Sequence, residues 1–153
     1  MSTKKYAIKE YYDVIVVGAG PAGLFATMEL AKYNKSVLLI DKGKEVLKRE
    51  CPISNGKSDH CVHCKVCSIT SGIGGAGAFS DGKLTLTTEY GGNLDNYCDK
   101  KTLQLLIDEV YKIYVDNGAN TTKYSPDTDT LSEIQYLANK NNIEIIPAVI
   151  SHM

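Results

Sequence analysis

The stretch Asp13-Val14-Ile15-Val16-Val17-Gly18-Ala19-Gly20-Pro21-Ala22-Gly23-Leu24 decides the fold. It opens with a short β-branched run that stops at glycine, the pattern of a parallel strand buried on both faces. From Pro21 to about Tyr33 helix formers dominate, with Leu24, Met28 and Ala31 at helical spacing. A proline in the first turn is tolerated because the N–H it lacks would be unpaired there. Asn34-Lys35 ends that helix, and Ser36-Val37-Leu38-Leu39-Ile40-Asp41 reads as a second buried strand finishing in an acid. The product is a βαβ unit with a tight first turn.

Gly18-Ala19-Gly20-Pro21-Ala22-Gly23 fits the pattern G-x-G-x-x-G, and Asp41 follows Gly23 by 18 residues. A strand before the motif, a helix after it and an acid at the end of the next strand are the context that holds a dinucleotide. Gly18 allows the tight turn, Gly20 lets a diphosphate approach the backbone, and Gly23 lets helix and strand pack closely. The helix N-terminus offers unpaired N–H groups and a positive dipole to the diphosphate. Asp41 can accept hydrogen bonds from the adenosine ribose and would repel a 2′-phosphate. The competing reading is a glycine-rich turn with no ligand, and the motif alone does not separate FAD from NAD.

Residues 42 to 100 show no sustained periodicity and contain most of the glycines and all of the cysteines. A bound ligand, a metal or further protein is expected to organise so long a loop. Ser71 to Gly82 has five glycines in twelve residues, so successive N–H groups there can form an anion nest or lie against a flat ring. A flexible loop is the alternative; Lys83 either pairs with a phosphate or is solvated.

Cys61-Val62-His63-Cys64-Lys65-Val66-Cys67 is C-x2-C-x2-C, and Cys51 precedes it in a Cys-Pro pair. Three thiolates so spaced can wrap an iron–sulfur cluster, with Cys51 the favoured fourth ligand. Zinc is the other metal, with His60 or His63 able to complete a tetrahedral set. The bacterial ferredoxin run places its Cys-Pro after the triplet rather than before it, so that match is partial. Free, redox-active thiols are the alternative to metal, and Cys98 reads as a separate thiol.

Asp99 can cap a helix carrying Leu103, Leu106, Ile107, Val110 and Tyr114, stopped by Asn117-Gly118. Thr130 and Glu133 make a capping-box pattern ahead of Leu131, Ile134, Leu137 and Ala138. Ile143 to Ile150 reads as a strand in which Pro147 favours an edge or a start. His152 reads as an ordinary polar residue.

The composition, 43% hydrophobic and 23% charged, is that of a globular protein, and one core is expected for 153 residues. Lysine plus arginine (17) nearly balances aspartate plus glutamate (18), so neither nucleic acid nor an anionic membrane is an expected partner. No apolar run suits a signal peptide or the ~20 residues of a membrane span, and a cytoplasmic location is expected. Five cysteines in a reducing compartment are more often thiols or ligands than a disulfide framework.

The opening around Gly-Ala-Gly-Pro-Ala-Gly resembles that of flavoproteins, which favours FAD over NAD. Together with Cys51-Pro52, the cysteine triplet and Gly74-Gly75-Ala76-Gly77-Ala78-Phe79-Ser80-Asp81-Gly82-Lys83-Leu84, residues 13 to about 95 are similar to the FAD-dependent, or NAD(FAD)-utilizing, dehydrogenases. That resemblance implies a flavin-dependent oxidoreductase of unassigned substrate. Family members are much longer, so the chain is expected to be the front portion of one FAD/NAD(P)-binding domain. The expected parts are a βαβ core at 13–41, a Gly/Cys-rich insertion at 42–98, and two helices and a strand at 99–150.

The expected fold is α/β: a Rossmann-type FAD-binding βαβ unit with a loop-rich insertion, forming an incomplete doubly wound parallel sheet. The cofactor set is Gly18, Gly20, Pro21, Ala22, Gly23, Asp41 and Lys42, with Gly74, Gly75, Ala76 and Gly77. Cys51, Cys61, Cys64 and Cys67 are the metal set, and NAD(P)H is the candidate electron donor of the full-length protein. No residue is assigned as general acid or base. Unpaired sheet edges lead us to expect self-association and weak FAD binding by the isolated chain. The rival readings are a non-catalytic metal- or nucleotide-binding module and an NAD-binding domain.

Overall fold

The structure, a computed structural model, describes residues 9–153. Residues 1–8, part of the segment read above as lacking a signal peptide, lie outside the described residues. The chain divides into two compact units, one running to Ser80 and the other from Asp81.

In the first unit β1 (Val14–Val17), α1 (Pro21–Lys32) and β2 (Val37–Ile40) follow in order. The two strands lie parallel, Val14 beside Val37 and Val17 beside Ile40. This is the α/β arrangement read from the sequence, with a parallel strand pair and a connecting helix. α1 ends as the sequence implies: Asn34 takes a left-handed conformation (φ 56°) and Lys35 N–H returns to the Leu30 carbonyl at 3.3 Å.

Two details differ from the sequence reading. The half-buried stripe of α1 includes Gly23, Leu24, Thr27 and Leu30, whereas Met28 is 40% exposed. The close approach at Gly23 fixes that rotation: a methyl group there would stand 1.8 Å from the Gly18 carbonyl oxygen and 3.4 Å from Val16 Cγ1. The strands are also not buried on both faces. α1 lies on the Val16 side, so Ile15 and Val17 on the opposite side are 58% and 81% exposed.

The long loop is ordered by a residue that the sequence reading passed over. Arg49, just after a 3₁₀ turn at Val46–Lys48, is only 6% exposed. Its Nε donates to the Ser68 carbonyl (2.8 Å), one terminal nitrogen to Ile73 (2.8 Å) and the other to Ile69 (2.6 Å). The Phe79 ring lies 4.6 Å from the guanidinium carbon. Three donors in one plane reach three carbonyls, which an ammonium on a flexible stem cannot imitate. This guanidinium supplies order that the sequence reading assigned to a ligand, a metal or missing protein.

The second unit holds β3 (Lys83–Thr85), α2 (Lys100–Asp116), β4 (Lys123–Tyr124), α3 (Thr128–Lys140) and β5 (Ile150–His152). Its sheet has the order β3-β5-β4, with β5 antiparallel to both neighbours. The last strand therefore does not extend the parallel pair, as the doubly wound reading expects. It is also much shorter than 143–150, because it begins beyond Pro147, and it is central rather than an edge. Ser151, fully buried, donates from its hydroxyl to the Thr122 carbonyl at 2.9 Å.

α2 is capped as read, with the Asp99 carboxylate accepting from Thr102 N–H at 2.7 Å. It stops at Gly118 (φ 96°), where Ala119 N–H returns to the Tyr114 carbonyl at 3.0 Å. Leu103 is buried, but Leu106 is 49% exposed. α3 is capped by Asp127, which accepts from Thr130 N–H at 2.9 Å. That corrects the Thr130 capping box: the carboxylate three residues earlier takes the cap and Thr130 becomes the donor. Ala138 is buried there, while Ile134 and Leu137 are 44% and 50% exposed.

Gly23→Ala is expected to cost about 3 kcal/mol or more, because the added carbon meets backbone that side-chain rotation cannot clear. Urea unfolding of the purified variant measures it, and an unchanged midpoint would remove Gly23 from the helix–strand contact. Arg49→Lys is expected to cost about 2–3 kcal/mol, since carbonyls of 68, 69 and 73 lose partners. Limited proteolysis should then show faster cleavage between 50 and 80; an unchanged pattern would deny Arg49 its ordering role.

Candidate functional site

The turn between β1 and α1 divides its work among three glycines. Gly18 adopts φ 102°, a conformation that L side chains rarely take. Gly20 has ordinary extended backbone (φ −72°, ψ −179°), and a methyl group on it would meet nothing within 4 Å. Gly23 is the packed one. Space beside Gly20 is therefore open, whereas space beside Gly23 is filled by the protein. No side chain caps the N-terminus of α1, so its first-turn N–H groups are left to solvent or ligand.

Asp41 stands at the end of β2, where the sequence reading puts it, with both oxygens engaged. One accepts from Ala19 N–H at 2.8 Å and the other from Gly43 N–H at 2.7 Å. These bonds hold its carboxyl below the usual range, with smaller help from Gly72 N–H and the Lys42 charge. A carboxylate has about four acceptor positions, so the three N–H groups of Ala19, Gly43 and Gly72 do not exhaust it. Lys42 itself is exposed, and it acts here through charge.

The second glycine stretch lies against the first. Gly74 N–H donates to the Ala19 carbonyl at 2.8 Å, and a methyl group on Gly75 would come 3.1 Å from Gly20 Cα. A methyl group on Gly77 would be 3.9 Å from Pro21 Cγ. Gly74 and Gly75 both have positive φ (87° and 59°), and a 3₁₀ turn follows over Gly75–Phe79. The structure thus joins the two glycine stretches, some fifty residues apart in sequence, at one place.

Gly43, outside both glycine stretches read from the sequence, and Gly72, at the start of the second, let two backbone segments pass closely. A methyl group on Gly43 would fall 2.4 Å from Gly72 N, and Ile73 N–H donates to the Lys44 carbonyl at 3.1 Å. Ala19, 1% exposed, is the hinge of the site: its N–H goes to Asp41 and its carbonyl accepts from Gly74. The sequence signal that could have found Arg49 is that it is the single arginine beside sixteen lysines.

Cys51, Cys61, Cys64, Cys67 and His63 line one cavity of about 270 Å³ in the same unit. The four cysteines are free thiols, as is Cys98, whose sulfur donates to the Leu94 carbonyl at 3.5 Å. Among the described residues no three cysteine, histidine, aspartate or glutamate side chains are grouped to hold a single metal ion. Backbone N–H groups of Ser54 and Ile53 face the Cys51 sulfur and lower its pKa. The Thr70 N–H and hydroxyl, then Ile69 N–H, do the same for Cys67, and the Arg49 charge adds to them. His60 does not line this cavity. His152 has a partner of its own, with Nδ1 3.2 Å from the Asp81 carbonyl and its ring edge-on to Tyr124.

Because the folded-state pKa of Asp41 is depressed, its contribution to stability is complete above the ordinary carboxyl value of 3.8 and declines as pH falls below it. Asp41→Asn is expected to be less stable than the parent at pH 7, with the difference shrinking as pH falls below about 4. Unfolding midpoints taken across that range check the sign; a difference independent of pH would mean the charge is not what braces the turn.

No described helix is long and apolar enough to cross a membrane. An uncharacterized protein of Clostridium beijerinckii is 42% identical over 71 residues, which is 46% of this chain and 13% of that protein. A digeranylgeranylglycerophospholipid reductase of Methanococcus vannielii is 48% identical over 40 residues, covering 26% of this chain and 10% of the reductase. A ribosomal RNA dihydrouridine synthase of Haemophilus influenzae is 46% identical over 39 residues, again 26% of this chain and 10% of the synthase. The chain thus matches only a small part of the length of these relatives. No solved structure matches it. The model of the pyridine nucleotide-disulphide oxidoreductase family matches residues 12–143, taking in β1, the glycine turn, Asp41 and the second glycine stretch. With most of its length accounted for in this way, the chain belongs to the pyridine nucleotide-disulphide oxidoreductase family.

Proposed function

We propose that this chain is the FAD-binding part of a flavin-dependent oxidoreductase with a Rossmann-type βαβ unit. The observation that carries the reading is the open space beside Gly20, which lies at an uncapped helix N-terminus, under a second glycine stretch and on a turn braced by Asp41. Family membership supports a nucleotide-dependent oxidoreductase, and the reductase among the relatives supports reduction chemistry.

FAD, when bound, supplies hydride and electron exchange at its ring system. The residues of the chain bind and orient. The Gly18 to Gly23 turn would take the diphosphate on backbone N–H groups, with no Cβ at Gly20 to block approach. Asp41 would accept from the ribose hydroxyls with its remaining lone pairs. Gly74 to Gly77 would add further N–H groups to the same place. The flavin reading needs none of the cysteines. Substrate, catalytic groups and an NAD(P)H donor belong to the whole protein of which this chain matches a part, and cytoplasmic location is the expectation that accompanies it.

The experiment is FAD titration of the 153-residue chain and of Gly20→Val. Valine is compatible with the extended backbone at 20 and its Cβ meets nothing within 4 Å, so the variant is expected to fold. It should nevertheless bind FAD at least about tenfold more weakly, roughly 1.4 kcal/mol. Equal affinity would refute the diphosphate placement, and saturation by NAD without any binding of FAD would assign the turn to NAD.

A further inference from the structure

Four cysteines from two separated parts of the loop meet at one cavity. Cys51 comes from the turn after Arg49, and Cys61, Cys64 and Cys67 from the triplet ten residues on. The junction inside the triplet is bent by His63, whose φ of 48° puts a non-glycine residue in the left-handed region. The remaining lining includes Pro52, Ile53 and Val62, so a sulfur-rich wall is set in an apolar surround.

The hydrogen bonds around it repeat. The Cys51 sulfur faces N–H groups two and three residues ahead, at Ile53 and Ser54. The Cys67 sulfur faces those two and three residues ahead, at Ile69 and Thr70. Arg49, held by carbonyls and with no carboxylate among the partners named above, places a fixed positive charge near Cys67. N–H groups and a cation aimed at sulfur stabilise thiolates that carry metal charge.

The size of the space distinguishes the kinds of metal centre. One zinc ion needs every ligand atom within about 2.3 Å of a point, and no three ligand side chains are grouped in that way among the described residues. A cavity of about 270 Å³ lined by these four cysteines has room for a body several ångströms across. We propose that Cys51, Cys61, Cys64 and Cys67 bind an iron–sulfur cluster in this cavity. The site is independent of the flavin reading, since none of its residues belongs to the glycine turns or to Asp41.

The test is anaerobic reconstitution of the whole chain with ferrous iron and sulfide, followed by desalting and analysis of iron, sulfide and visible absorption. The expected result is about two to four iron atoms per chain with matching sulfide and a broad charge-transfer band. Cys51→Ser, Cys61→Ser, Cys64→Ser or Cys67→Ser should lower retained iron at least severalfold, while Cys98→Ser and His60→Gln, both outside the cavity lining, should leave it unchanged. Circular dichroism of each variant separates lost ligation from lost folding, and the iron content of the unaltered chain stands whatever the variants do. Retention of one zinc per chain without sulfide, in parallel zinc loading that blocks iron uptake, would overturn the proposal. So would four thiols that still titrate freely after reconstitution.

Discussion

A buried guanidinium sets the geometry of the first unit. Arg49 gives up water for three carbonyl oxygens and one aromatic face, at positions 68, 69, 73 and 79. A buried charge without such partners is costly, so the loop cannot withdraw while the guanidinium stays buried, nor can Arg49 leave the loop without orphaning carbonyls. Because the carbonyl of Ile73 is one of the three, the next N–H, that of Gly74, is delivered to Ala19. The second glycine stretch reaches the first through that constraint, without any regular secondary structure of its own before residue 75.

The glycine turn shows why identical residues in one motif have different physical duties. Gly18 is required by backbone conformation, Gly23 by the volume of Val16 and the Gly18 carbonyl, and Gly20 by nothing within the protein. A glycine that neither the backbone nor the packing demands points to a requirement outside the chain, which a ligand satisfies. Asp41 carries two duties at once. Its bonds to Ala19 and Gly43 brace the turn from within the chain, and its remaining acceptor capacity is left for a partner outside it.

The βαβ unit was legible because every part of it is local. Strand, turn, helix and second strand lie within thirty residues, and each has a chemical signature, down to Asn34 at the helix end. The Asp99 cap and the Gly118 stop were legible for the same reason. What sequence reading missed was non-local or displaced by a few residues. Arg49 has no pattern around it, and its partners lie 19 to 24 residues away. The sheet formed by residues 83–85, 123–124 and 150–152 uses strands of two or three residues, too short to show alternation. Thr130 lost the cap to Asp127 because two capping patterns overlap there and the carboxylate accepts more strongly.

The same arginine joins the two regions that the sequence reading treated separately. Cys67 precedes Ser68, whose carbonyl accepts from Arg49, and Gly74 follows Ile73, whose carbonyl does the same. The chain from 67 to 74 is therefore tied near both ends to one rigid plane. A displacement of Cys67 cannot be absorbed by slack in that segment; it must either break a charge-assisted hydrogen bond or move the guanidinium. Moving the guanidinium shifts the carbonyl that positions Gly74 beside Ala19, and Ala19 N–H is the donor that braces Asp41. Packed interiors pass such displacements on rather than dissipating them. The cysteine cavity and the glycine turn are thus connected by hydrogen bonds although they share no residue, and the link runs through the single arginine of the chain.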